Sequence, residues 1–478
     1  MPSSSRGEVT TGLRQKWESK KASDMEKALQ QYIELYDKHL ELISSHAPDA
    51  INRLRSQGRE SLMKHGFPKK GSENYEITDL SAMVAPDYGL NISRIPLDVN
   101  VSETFRCGVP HLSTALFFLL NDQWGEAKNS RNVLPVGVEI GPLSRYLNND
   151  ADARDAYGHI ADMANPIVAL NSMLVQDGIY IRVKKGVKVS KPIQLVEILD
   201  NSMPLMALRR MLIVMEEGSE AQILICDHTQ SRLHPMCCVT VSEIIAGKNS
   251  RLDIYGLEES GKENNRLSAL YLRQEERSDV LIDSITLSNG HTRNEYHCTF
   301  NAPGSRLRLY GMGVEDECRI LDVYSKIDHN VPDCFTEELF KYILDDDSRG
   351  AFTGRIYVAP GATKTEAYQS NRNLIGSDRA RIFSKPQLEI YNDDVKCSHG
   401  SATGRLDEMQ LFYMRSRGID LHEARLLLKQ AFMADVIDGI RLPALKDRMS
   451  ALVARRIAGE NASCKDCDIC FSESEENV

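Results

Sequence analysis

At 478 residues, 42% of them hydrophobic and 26% charged, the chain is long enough for more than one core and has the composition of a globular protein, which excludes a disordered polymer and a bundle of membrane spans. A formal net charge of −10 leaves no cationic footprint for a phosphate backbone, so nucleic acid is not an expected partner. The polar opening, Met1 to Thr11, lacks the apolar centre of a signal peptide, so the chain reads as cytoplasmic and its 11 cysteines as thiols rather than disulfides.

From Asp24 to Ser45, apolar residues recur at Met25, Leu29, Tyr32, Tyr36, Leu40 and Ile43, the three-and-four spacing of an amphipathic helix. A second helix is expected to run up to Gly66-Phe67-Pro68, where glycine and proline stop it. A further helical piece is expected at Leu112 to Asn121. Near Asp177 the period changes to two, in Ile179 to Val183 and again in Val187 to Val189. A glycine turn followed by a short alternating strand then recurs at Gly218-Ser219 before Ala221 to Ile225, at Gly247-Lys248 before Leu252 to Tyr255, and at Gly304-Ser305 before Leu307 to Tyr310. Similar phrases return at Gly354 to Val358 and Pro386 to Tyr391. Many short strands fit a sandwich, a barrel or a parallel β-helix, and their irregular spacing favours stacked coils of differing length. Beyond Gly404 the helical period returns: Asp420 with Glu423 makes a capping-box-like start to a run through Ile437, and Leu445 to Ile457 continues it. From Glu460 the chain reads as a mobile acidic tail.

The most specific chemistry lies in Lys385 to Gly400. If Val395 to His399 is extended, Cys397 and His399 point the same way, and a thiol beside an imidazole is half of a site for iron or another thiophilic metal. Two ligands do not close a site that needs four. On spacing alone, a buried cysteine and a hydrogen-bonded histidine on an ordinary strand are the favoured account. Cys464, Cys467 and Cys470 begin like a ferredoxin ligand run but stop before a fourth cysteine. The stretch Gly256 to Glu263 has the spacing of a phosphate loop, yet Glu263 stands where a hydroxyl should hold magnesium, and Glu258 and Glu259 repel phosphate; it reads as a surface turn. Adjacent Cys237 and Cys238 are expected to alternate between core and surface. No serine elbow, zinc-protease helix or kinase signature is present, so no enzyme is announced.

Longer motifs carry a resemblance. Asp328-His329-Asn330 with Pro332 and Cys334, Gly350 to Val358, Lys385 to Gly400 and Leu411 to Ile419 are similar to the C-terminal half of SufB/SufD proteins, scaffolds of iron-sulfur cluster assembly, with weaker similarity back through Asp177-Gly178 and Ala169-Leu170-Asn171. The resemblance implies a mainly β protein, a right-handed parallel β-helix core over 166–404, flanked by a mostly helical region, 1–165, and a C-terminal helical region, 405–459, that docks the ATPase SufC; 460–478 is the tail. It further implies pairing with SufB across the β-helix, a transient iron-sulfur cluster shared at that interface, and ATP hydrolysis left to the partner. Ile375-Gly376-Ser377-Asp378-Arg379 lacks the thiol of the SufB motif, and Cys397-Ser398-His399-Gly400 matches the SufD-like form, which makes His399, with Cys397 second, the implied metal ligands. One departure is that the usual Gly-Ala-Thr is Gly400-Ser401-Ala402-Thr403. The rival from another class, a β-helix enzyme acting on acidic sugars, calls for a secretion signal.

Overall fold

The computed structural model describes residues 27–95, 112, 114–125, 134–200, 203–230 and 234–460. The Cys464, Cys467 and Cys470 run lies outside these residues, as do Asp24 and Met25.

Helix α1 (27–45) buries Tyr32, Tyr36 and Ile43 of the expected stripe, with Ile33 beside them, while Leu40 is exposed. Helix α2 (Asp49–His65) follows Pro48 and ends at Gly66, whose φ of 65° suits a residue without a Cβ. After α3 (Leu80–Val84), β1 (Ala115–Leu120), β2 (Gln123–Gly125), β3 (Val138–Pro142), α4 (Leu143–Asn149) and α5 (Ala151–Ala156), the chain enters α6 (Pro166–Leu174). Asn165 caps α6 by accepting from the amides of Ile167 and Val168. Gly58 lets α2 lie directly against α6, since a Cβ there would stand 2.6 Å from the Ala169 carbonyl oxygen.

The remaining strands are β4 (Ile179–Val183), β5 (Ile193–Leu199), β6 (Leu205–Met215), β7 (Glu220–Thr229), β8 (Met236–Ala246), β9 (Arg251–Glu259), β10 (Asn265–Gln274), β11 (Asp279–Ser288), β12 (His291–Phe300), β13 (Arg306–Glu315), β14 (Ile320–His329), β15 (Phe335–Leu344), β16 (Arg349–Val358), β17 (Thr365–Ile375), β18 (Arg381–Ile390) and β19 (Val395–Gly404). Odd strands from β5 onward stack in parallel in one sheet and even strands from β4 onward in the other, so each coil contributes one strand to each sheet. The result is a parallel β-solenoid of about 7 turns with helices at both ends of the chain. Its corners repeat: Gly186, Gly218, Asn249, Arg277 and Gly304 all have positive φ, and the amides of Gly186, Gly218, Asn249 and Arg277 donate to carbonyls of the next turn, those of Glu217, Lys248, Glu276 and Pro303. Holding Arg277 there costs of order 1–2 kcal/mol, which the stacked hydrogen bonds offset.

Three expectations are corrected. The apolar run within Leu112 to Asn121 is strand β1, paired in parallel with β5; a run this short carries no period that separates strand from helix. The region before 165 therefore supplies β1, β2 and β3 as well as helices. Cys237 and Cys238 are both buried, because the N-terminal helices cover the outer face of the even sheet and leave β8 no solvent side. Gly256 to Glu259 is the buried end of β9, not a surface turn, and the chain continues into β10 rather than into the helix a phosphate loop requires.

Charged groups inside the fold are mostly paired. Arg209 reaches Glu197 at 2.9 Å and Asp227 at 3.2 Å, and Arg293 reaches Asp322 at 2.8 Å and Glu295 at 3.0 Å, all almost fully buried. Asp283 is different. It sits on β11 in register with Tyr255 and Tyr310, under the C-terminal helices, and neither carboxylate oxygen has a partner. Burial alone pushes it up to about 8. A carboxyl raised in the folded state contributes stability that is complete below the unfolded value near 4 and is lost as pH rises through about 8. Asp283→Asn is expected to flatten that loss: the stability gap between variant and native chain should widen with pH in this window by up to about 1.4 kcal/mol per unit. Urea unfolding at a series of pH values from 5 to 9 checks it, and parallel curves would refute it.

Candidate functional site

The last coil is where the solenoid stops. Strand β18 pairs with β16 and β19 with β17, and β18 and β19 end their sheets with outer edges unpaired among the described residues. Strand β17 alternates and β18 is half-buried along most of its length, whereas β19 is exposed at almost every position. Interior columns therefore run out into the open here. One column passes through Ile193, Ile223, Ile254, Ile282, Leu309, Glu338, Gln369 and His399. Its neighbour ends in Thr336, Ala367 and Cys397.

Cys397 and His399 thus lie two apart on an extended strand and share a face, as the period of two requires. Cys397 is half-buried against the core, and burial pushes its thiol above the ordinary value while a bond with the Ala367 backbone pulls it back. A metal captured there displaces the thiol proton. His399 is exposed. Among the described residues no group of three or more His, Cys, Asp or Glu is gathered to hold a metal, so the pair is an incomplete ligand set on the interior columns of the last coil. The His329 of the Asp328-His329-Asn330 motif is a different matter: fully buried, bonded to Thr336 Oγ1 at 2.9 Å and driven down to about 3 by burial, it is a neutral core residue.

A second exposed feature lies beside this end. Helix α7 (Glu408–Ser416), capped by Asp407, buries only Leu411 and leaves Met409, Phe412 and Tyr413 exposed, at 73%, 67% and 59%. Helix α8 (Leu421–Asp438) starts at Asp420, whose carboxylate accepts from the amides of His422 and Glu423 as the sequence indicates. Helix α9 (Pro443–Ile457) buries Leu445, Met449, Leu452 and Val453 against the odd sheet. Arg441 bonds Asp253 at 2.6 Å and Arg456 bonds Asp316 at 2.6 Å, which fixes α8 and α9 to the solenoid. Nothing in the motif Leu411 to Ile419 indicates that Phe412 and Tyr413 face solvent, because that depends on which face the short helix turns to the sheet.

A model of the SUF system FeS cluster assembly SufBD core domain matches residues 198–432, and a model of the SufBD protein N-terminal region matches 26–195. The chain belongs to the SufBD family. It is 28% identical over 437 residues to the iron-sulfur cluster assembly protein SufD of Escherichia coli, covering 90% of this chain and 97% of that one. It is 26% identical over 448 residues to the iron-sulfur cluster assembly SufBD family protein slr0076 of Synechocystis, covering 88% and 95%. It is 27% identical over 414 residues to the chloroplastic protein ABCI7 of Arabidopsis thaliana, covering 83% and 84%. The two family models together span the N-terminal helices and the solenoid and end at residue 432, within α8. Among the described residues no helix is long and apolar enough to cross a membrane.

Proposed function

We propose that this SufBD family member is a non-enzymatic scaffold subunit in which His399, assisted by Cys397, supplies one side of a site for a nascent iron-sulfur cluster or its iron, the other side coming from a SufB-type partner. The cluster is cargo, passed on rather than kept. The observation that carries the reading is the pairing of a thiol and an imidazole, same-facing and incomplete as a ligand set, on the strand where the solenoid ends with an unpaired edge. Soft sulfur and imidazole ligands suit iron, and an unpaired strand edge suits a second β-structure laid against it. The exposed apolar face of α7 supports docking of a SufC-type ATPase, which would hydrolyse the nucleotide; the failed phosphate loop in β9 fits that division of labour. A cytoplasmic setting fits this chemistry.

A purely architectural role is favoured by one observation, that among the described residues only two candidate ligands come together here. Co-expression with SufB-type and SufC-type partners, anaerobic purification, and iron and sulfide analysis separate the two. His399→Ala is expected to leave the complex assembled and lower its cluster content. Unchanged content in an intact complex would make the chain architectural, and failure to form any complex would overturn both readings.

A further inference from the structure

We propose that Gln369, itself held by Glu338, is a positioning residue that orients the imidazole of His399 through a hydrogen bond to one ring nitrogen. The inference rests on the reading of His399 as a ligand and names what aims it. In the column that ends at His399, four coils are filled by isoleucine and the fifth by Leu309, and then the filling changes to Glu338 and Gln369. Both are buried, at 1% and 2% exposure, where an apolar residue would pack without desolvating anything.

Glu338 carries no compensating cation: among the described residues no ion pair reaches it, and burial pushes it up to about 7, with Ser325 and Gln369 pulling back. Gln369 Nε2 donates to Glu338 Oε2 at 2.5 Å. That bond fixes which end of the amide faces which way. Gly354 makes room for it, since a Cβ there would stand 2.3 Å from the same Nε2. The amide oxygen, Oε1, is then left buried with no partner, an arrangement costing roughly 1–3 kcal/mol. The next residue in the column, in register with Gln369, is His399. In the proposed arrangement its exposed ring turns so that one ring N–H donates to this oxygen, a bond that would satisfy the orphaned acceptor. Once one ring nitrogen is so committed, the tautomer is set and the other nitrogen stands bare for a metal, as the outer partners of metal-binding histidines generally arrange.

The test uses the full-length chain labelled with ¹⁵N in its histidine rings, at about pH 8 where an ordinary imidazole is neutral. His399 is assigned by its loss in His399→Ala. The expected spectrum has one protonated and one bare nitrogen for His399, well separated, and in Gln369→Met the two resonances converge as the tautomers exchange. In the reconstituted complex, Gln369→Met is expected to weaken iron retention about 10-fold or more. Converged resonances in the native chain would overturn the proposal even if the variant failed to fold. A spectrum unchanged by Gln369→Met would do the same. A locked ring combined with cluster content insensitive to His399→Ala would uphold the positioning and remove the ligand reading instead.

Discussion

Replacing Arg293 by Met is expected to destabilise the protein by about 3–5 kcal/mol, because it strips the cation from between two buried carboxylates. Arg293 bonds Asp322 and Glu295 and lies 4.4 Å from the centre of the Tyr75 ring. Those carboxylates also hold the N-terminal region to the solenoid: Tyr75 donates to Glu295 at 2.9 Å, Asn165 donates to it at 2.5 Å, and Thr78 donates to Asp322 at 2.5 Å. Glu295 stays at about 2 despite its burial, since Arg293 and His297 both favour its charged form. Without the guanidinium the two carboxylates must protonate or drag in water, and the contact between the 69–79 segment and the even sheet should open first. Urea unfolding measures the loss, and limited proteolysis locates it. The triple replacement Arg293→Met, Glu295→Gln, Asp322→Asn should recover much of the stability, because no unpaired charge remains. A loss below about 0.5 kcal/mol for Arg293→Met, the scale of an ordinary surface substitution, would refute this account.

Phe412→Asp is expected to weaken binding of a SufC-type ATPase by about 30-fold or more, the roughly 2 kcal/mol that marks an anchoring aromatic at a protein interface. Because the ring is 67% exposed on α7, the isolated chain should unfold at an unchanged temperature. Met409→Asp on the same helix should act in the same direction. Titration of the purified partner by calorimetry gives the affinities. Native-like binding by both variants would place the docking surface elsewhere, while a fall in melting temperature would mean that α7 matters to the fold instead.

The parts of this structure that were legible in the sequence are those fixed by neighbours along the chain. The spacing of Tyr32, Tyr36 and Ile43 marks α1, and Asp420 with the amide of Glu423 marks the start of α8, because capping and helical faces involve residues three or four apart. Strand pairing across coils is a different matter. Glu338, Gln369 and His399 are each separated by 30 or so residues, and coil lengths vary, so no period brings them into one column. Burial was legible only where one face of a strand is wet. β5 is buried at every position and β8 carries two adjacent buried cysteines, since helices cover one face and the second sheet the other. For the same reason the side-by-side placement of Cys397 and His399 could be read from a two-residue step, but not the exposure of the strand that carries them.

The two ends of the solenoid also differ in a way that limits assembly. At the first coil the sheets finish in short antiparallel strands, β2 of three residues and β3 of five, which break the parallel register. At the last coil they finish in β18 and β19, ten residues each and open. A stack of such units therefore cannot propagate head to tail, because the blunt end offers no matching template to the long one. If the long edges join as the scaffold reading proposes, the product would be a closed two-solenoid unit rather than a filament.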